Sequence, residues 1–165
     1  MTTTIGTDPT EASPWRPLRV LLDAMDDDIA ELYDERCIEG VRPRFAMPLI
    51  RLGRRGPMTI RALARSLDVT HSAMSQTVAA LRRQGLVTSA AGADARTRDV
   101  TLTRKARGLV PFLELEWRAS EQAVRELEFE IPYPLSQVAR DLEAALARRS
   151  FHDRIVRHLP DEASG

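Results

Sequence analysis

Two short helical patterns, joined by a three-residue turn and followed at once by a hairpin pattern, limit what this chain can fold into. Thr59 is placed to cap a helix over residues 60–66, with Ile60, Leu63, Ala64 and Leu67 on its buried side. Leu67-Asp68-Val69 then forms a tight turn. Thr70 caps the next helix, His71 to about Gln84, in which Met74, Val78 and Leu81 share one face at i, i+4, i+7 spacing. Gly85 supplies its stop. Two short helices joined this tightly make a helix-turn-helix. Leu86-Val87-Thr88-Ser89 and Arg98-Asp99-Val100-Thr101-Leu102 have strand character, with the small-residue loop 90–97 between them. A hairpin directly behind a helix-turn-helix is a wing. The expected class is mostly α with a small β-hairpin wing, a winged helix-turn-helix flanked by N- and C-terminal helices.

The flanks are helical by periodicity. Residues 1–14, rich in Thr, Pro and Ser, predict a disordered tail, and residues 15–165 a single domain. Leu18, Leu21, Leu22, Met25, Ile29, Leu32 and Tyr33 predict a helix from Pro17 to about Glu39, stopped by Gly40. A second helix is expected from about Pro43 to Arg54, with Pro48 tolerated near its first turn and with Gly53 and Gly56-Pro57 ending it. Thr103 caps a long helix whose Leu109, Leu113, Trp117, Ser120, Val124 and Leu127 track one stripe, and Pro111 should kink it. Ile131-Pro132-Tyr133-Pro134 breaks the chain before a helix from about Leu135 to Arg149. Ser150 and Asp153 have capping-box-like spacing for a last short one.

A net charge of zero conceals an uneven distribution. Residues 51–109 carry twelve Lys or Arg against Asp68, Asp94 and Asp99, whereas residues 1–50 carry five against ten acids and residues 110–165 seven against eleven. A basic middle between acidic ends suits a polyanion-binding module on an otherwise neutral scaffold. Sparse aromatics, 5% of the chain, argue against a stacking surface for single strands. Cys37 is the only cysteine, which excludes an internal disulfide and a thiolate zinc site. No signal peptide or membrane span is legible, and a cytoplasmic location is expected. No nucleophile pairs with His71, His152 or His158, and there is no phosphate-cradling glycine loop or metal-ligand spacing. The reading is therefore not an enzyme, with no cofactor and no metal.

At these residues the chain resembles the MarR family of winged-helix regulators. The resemblance lies in Gly56-Pro57-Met58-Thr59-Ile60, Ser72-Ala73-Met74-Ser75-Gln76, Gly85-Leu86-Val87, and Asp94-x-Arg96 followed by Leu102-Thr103. It covers about a third of the chain closely; the flanking helices match only in layout. The chain departs from the pattern at Asp68, where glycine is more usual, and in the Pro43 and Pro48 pair. The resemblance implies a homodimer, with a winged helix at about 42–103 and dimerisation helices at about 17–39 and 103–159. It further implies binding to palindromic promoter DNA, often released by a small-molecule effector or an oxidant.

With Met74, Val78 and Leu81 turned inward, the outward face of the second motif helix carries His71, Ser72, Ser75, Gln76, Ala79 and Arg83, behind the cap Thr70. Hydroxyls, an amide and a small apolar side chain suit base edges and thymine methyls in a major groove. Gln76 is the favoured reader, because an amide both donates to and accepts from adenine. Arg96 stands at the wing tip, where it suits a narrow minor groove, and Asp94 is assigned to bracing it. Arg98 joins the DNA-binding set, and Arg54, Arg55, Arg61, Arg65 and Arg82 are candidates for phosphate contacts. The expected partners are double-stranded DNA and a second copy, with no membrane. The alternative is a winged helix that binds DNA without sequence preference or docks another protein. Cys37 is readable as a redox sensor or as a half-buried structural thiol, and Trp15, Tyr33, Phe45 and Trp117 as an effector pocket or as core.

Overall fold

The structure is a computed structural model that describes residues 8, 10, 13–91 and 98–159. The chain divides into two compact units, Met1–Leu115 and Glu116–Gly165.

In the first unit, α1 (Arg16–Glu35) is followed by a 3-10 turn (Pro43–Phe45), α2 (Ala46–Arg55), β1 (Met58–Thr59), α3 (Ile60–Ser66) and α4 (His71–Arg83). Then come β2 (Val87–Ala91), β3 (Arg98–Leu102) and the start of α5 (Arg104–Glu130). Local chemistry sets the two motif helices. Thr59 Oγ1 accepts from the Ala62 N–H at 3.1 Å, and Thr70 Oγ1 accepts from the Ala73 N–H at 3.2 Å. Asp68 carries the turn between them at φ 53°, and the Val69 N–H donates to the Ala64 carbonyl at 3.1 Å. Aspartate enters this left-handed region more readily than most residues, so the departure from glycine is tolerated.

Leu63, Val78, Leu81, Leu86 and Val100 are fully buried, and Leu49, Phe45 and Tyr33 complete the core with Leu113. The Tyr33 and Phe112 rings meet edge to face with centroids 6.2 Å apart. Thr103 joins two elements: its hydroxyl donates to the Gly85 carbonyl at 2.8 Å and accepts from the Ala106 N–H at 3.3 Å. It thereby caps α5 as expected and ties that cap to the residue where α4 ends.

Three expectations need correction. α1 ends at Glu35, not near Glu39, and Cys37 rather than Gly40 makes the stop. Cys37 takes φ 54°, its N–H donates to the Asp34 carbonyl, and the Ile38 N–H reaches the Tyr33 carbonyl, closing the last turn in the manner usual for glycine. Its side chain is exposed rather than half-buried. The wing hairpin also gains a third strand. β1 pairs with β3 (Met58 opposite Val100), which pairs in turn with β2 (Val87 opposite Leu102), giving the antiparallel order β1-β3-β2.

The third correction concerns α2. The helix expected from Pro43 divides into the 3-10 turn and α2, and Pro48 falls at the third helical position, where a missing N–H costs no helical bond. Gly53 does not end α2; it lies inside it. A Cβ built there would stand 2.9 Å from Val110 Cγ1 and 3.0 Å from Cγ2, so glycine is needed for the approach of α5. Gly53→Ala is therefore expected to destabilise the protein. Overpacking costs about 1–3 kcal/mol, against a helix-propensity gain of about 1 kcal/mol. A drop in urea midpoint, partly restored by adding Val110→Ala, is the expected result. A plain stabilisation would show the contact to be soft.

The second unit holds the rest of α5 with α6 (Leu135–Arg148) and α7 (Phe151–Val156). α5 runs on through Pro111, in its first-unit part. Side chains close both ends of α6. The Glu128 carboxylate accepts from the Ser136 N–H at 2.6 Å and the Ser136 hydroxyl at 2.8 Å. These bonds, the backbone one first, hold the Glu128 carboxyl below its ordinary value. At the other end Arg154 donates to the Ala145 carbonyl at 3.0 Å and the Arg149 carbonyl at 3.3 Å. Ser150 caps α7 through the Asp153 N–H at 3.0 Å. α6 and α7 have no buried residue, and Leu135, Val138, Leu142 and Leu146 form an exposed apolar stripe on α6.

Candidate nucleic-acid interface

The outward surface of α4 is set by what α4 buries. Met74, Val78, Ala80 and Leu81 are held inside, so the remaining positions must face outward. His71, Ser72, Gln76, Ala79 and Arg83 are exposed, Ser75 is half-buried, and the cap Thr70 is exposed at the helix start. The outward face expected from sequence is therefore present on one helix.

The structure groups only part of that set. Gln76, Ala79 and Arg83 line a cleft of about 530 Å³ beside α4, together with Ala73, Thr77, Ala80 and Arg44. His71, Ser72 and Ser75 lie outside its lining. Arg44, from the 3-10 turn, has its guanidinium 5.4 Å above the centre of the Phe45 ring, and that ring is buried. Thr77 spends its hydroxyl on the Ala73 carbonyl at 3.0 Å. Sequence reasoning missed Arg44. The signal it left was a cation next to an aromatic just before a helix, inside the acidic third of the chain.

Two of the arginines assigned to phosphate are engaged within the protein. Arg54 forms a two-pronged ion pair with Glu114 of α5, which raises its pKa through the hydrogen bond and then the charge. Arg82 donates to the Ser89 hydroxyl at 2.5 Å, bracing α4 against β2. Arg55, Arg61, Arg65 and Arg98 are exposed. Arg51, which sequence reading left unassigned, donates to the Ser66 carbonyl at 2.6 Å and closes the end of α3. Asp94 and Arg96 lie outside the described residues. Of the aromatics, Tyr33 and Phe45 are core, Trp15 is exposed and Trp117 is half-buried. Among the described residues, no group of three His, Cys, Asp or Glu side chains could hold a metal ion. No described helix is long and apolar enough to cross a membrane.

Residues 49–97 match the sequence profile of the MarR family. This segment is similar to the MarR family, and the helices and strands around it have a winged-helix fold. The fold of the chain agrees with that of MarR-family and other regulator structures. The S. aureus MepR–DNA complex is 17% identical, with a TM-score of 0.62 over 82% of this chain and 97% of that one. The transcriptional regulator SlyA is 18% identical, with a TM-score of 0.57 over 86% and 96%. NMB1585, a MarR family regulator from Neisseria meningitidis, is 16% identical, with a TM-score of 0.50 over 87% and 94%. No curated protein matches the chain as a relative. In MarR-family terms, α3 and α4 are the helix-turn-helix and β2–β3 the wing, with β1 as its third strand.

Proposed function

We propose that this chain is a transcriptional regulator that binds double-stranded DNA sequence-specifically, as a homodimer on a palindromic operator. The observation that carries the reading is the surface of α4. A capped helix, anchored by buried Met74, Val78 and Leu81, presents Ser72, Ser75, Gln76 and Ala79 outward between His71 and Arg83. Such a surface fits the donor, acceptor and methyl pattern of a major groove. Thr70 belongs to it as the cap at the end that approaches the groove. Arg98 and Arg96 carry the wing contact, with Asp94 as its brace. Arg55, Arg61 and Arg65 remain free to meet phosphate, a role that Arg54 and Arg82 give up to their protein partners.

The homodimer rests on a separate observation. In the second unit, Leu127, Phe129, Tyr133, Phe151 and Leu159 are exposed along with the α6 stripe, a concentration of apolar side chains of the kind that marks an interaction surface. A second copy covers such a surface symmetrically. Two copies then present two α4 helices to successive major grooves, about 34 Å apart.

Selection of bound sequences from a random duplex library tests the proposal. Enrichment of one palindrome is expected, and Gln76→Ala should relax preference at one position per half-site by about 1–3 kcal/mol. Uniform binding to all duplexes would favour a non-specific winged helix. Absence of duplex binding at low salt would favour a protein-docking one.

A further inference from the structure

We infer that the cleft between the 3-10 turn and α4 receives the sugar–phosphate backbone of the bound duplex, with Arg44 as a phosphate anchor beside Arg83. The inference rests on the DNA-binding reading above and adds a contact from outside the winged helix-turn-helix.

The geometry argues as follows. A helix with its side chains is about 10–12 Å across, close to the width of a major groove, about 12 Å. A helix that enters the groove therefore has a phosphate strand passing along each flank. Ala73, Gln76, Ala80 and Arg83 recur at i, i+3, i+7, i+10 along one side of α4, and together with Ala79 and Thr77 they border the cleft. Ala73 is small and exposed, so a backbone strand can come close.

The chemistry of the lining matches one ligand class. Arg44 and Arg83 supply guanidinium groups, Gln76 supplies an amide, and among the described residues no carboxylate lines the cleft. Thr77 is already committed to its own helix, which leaves the two arginines as the principal donors. Arg44 is also pre-positioned. The cation–π contact with the buried Phe45 ring favours this position of the guanidinium, so less side-chain freedom is lost when it meets a phosphate. Phosphate contacts of this kind set register and affinity without reading sequence.

The experiment measures binding to a mixed-sequence duplex across a series of salt concentrations, for the wild-type protein, Arg44→Ala, Arg44→Lys and Arg140→Ala. Each phosphate contact adds about 0.9 to the slope of log affinity against log salt. Arg44→Ala should make the slope shallower by about 0.9 per copy and weaken binding at moderate salt. Arg44→Lys should keep the slope while binding less tightly than wild type, because it retains the charge but loses the planar fork. Arg140→Ala removes the same charge from α6 and should leave the slope unchanged. Far-ultraviolet circular dichroism and melting of each variant confirm that it is folded.

An unchanged slope for Arg44→Ala, with wild-type binding intact, overturns the inference and leaves the DNA reading standing. A slope lowered equally by Arg140→Ala also overturns it, since the effect would then be one of overall charge. A changed base preference for Arg44→Ala in selection from the random duplex library overturns the phosphate assignment. No duplex binding by the wild-type protein would remove both readings together.

Discussion

Leu142→Asp is expected to turn the proposed homodimer into a monomer and to weaken its binding to the selected palindrome at least about tenfold, or ~1.4 kcal/mol. Leu142 lies in the middle of the α6 stripe and is 37% exposed in the single chain, while α6 as a whole buries no residue. Placing a carboxylate where a second copy would pack costs more than the roughly 2–7 kcal/mol of burying a neutral polar group unpaired, because the charge loses water and gains no partner. Light scattering on a sizing column reads the mass directly. Ala144→Asp is the control, since at 3.6 residues per turn position 144 falls on the opposite side of α6 from the stripe. Ala144 is exposed, and its substitution should leave the dimer intact. A dimeric Leu142→Asp protein would move the interface elsewhere.

The second large effect concerns stability. Leu81 is fully buried, and it lies on the side of α4 opposite its exposed face. Leu81→Ala is expected to cost about 2–5 kcal/mol, the loss of transfer energy plus the cavity left behind. That is a large share of the roughly 5–15 kcal/mol by which domains of this kind are stable. Denaturant unfolding should show the midpoint fall at unchanged slope. At temperatures where the variant stays folded, its base preference should match the wild type, because no exposed group has changed. A loss below about 1 kcal/mol would mean that α4 is seated by other contacts.

How far the sequence led depended on the range of the interaction. Thr59 and Thr70 were legible as caps because a hydroxyl and an N–H three residues on settle that question locally. Met74, Val78 and Leu81 were legible for the same reason: one helical period places them together. Asp68 could be assigned to a left-handed turn from its own side chain. The errors came from contacts between distant segments. Gly53 reads as a helix end until Val110 is seen against it, and β1 is too short to show alternation without β3 beside it. Arg54 and Arg82 look free until Glu114 and Ser89 are in place. Arg44 is hidden in an acidic stretch, and only folding sets it against α4. Cys37 is a different case. Its left-handed turn is local, but cysteine gives no hint of it, and Gly40 nearby drew the assignment away.

Thr103 couples the start of α5 to the end of α4 through one oxygen atom. Its hydroxyl proton holds the carbonyl of Gly85, its lone pair holds the first turn of α5, and its own N–H holds the Leu86 carbonyl at 3.0 Å. A joint with so little slack behaves as a rigid elbow. Replacing that one side chain would therefore loosen two helix ends at once, the last turn of α4 and the first of α5.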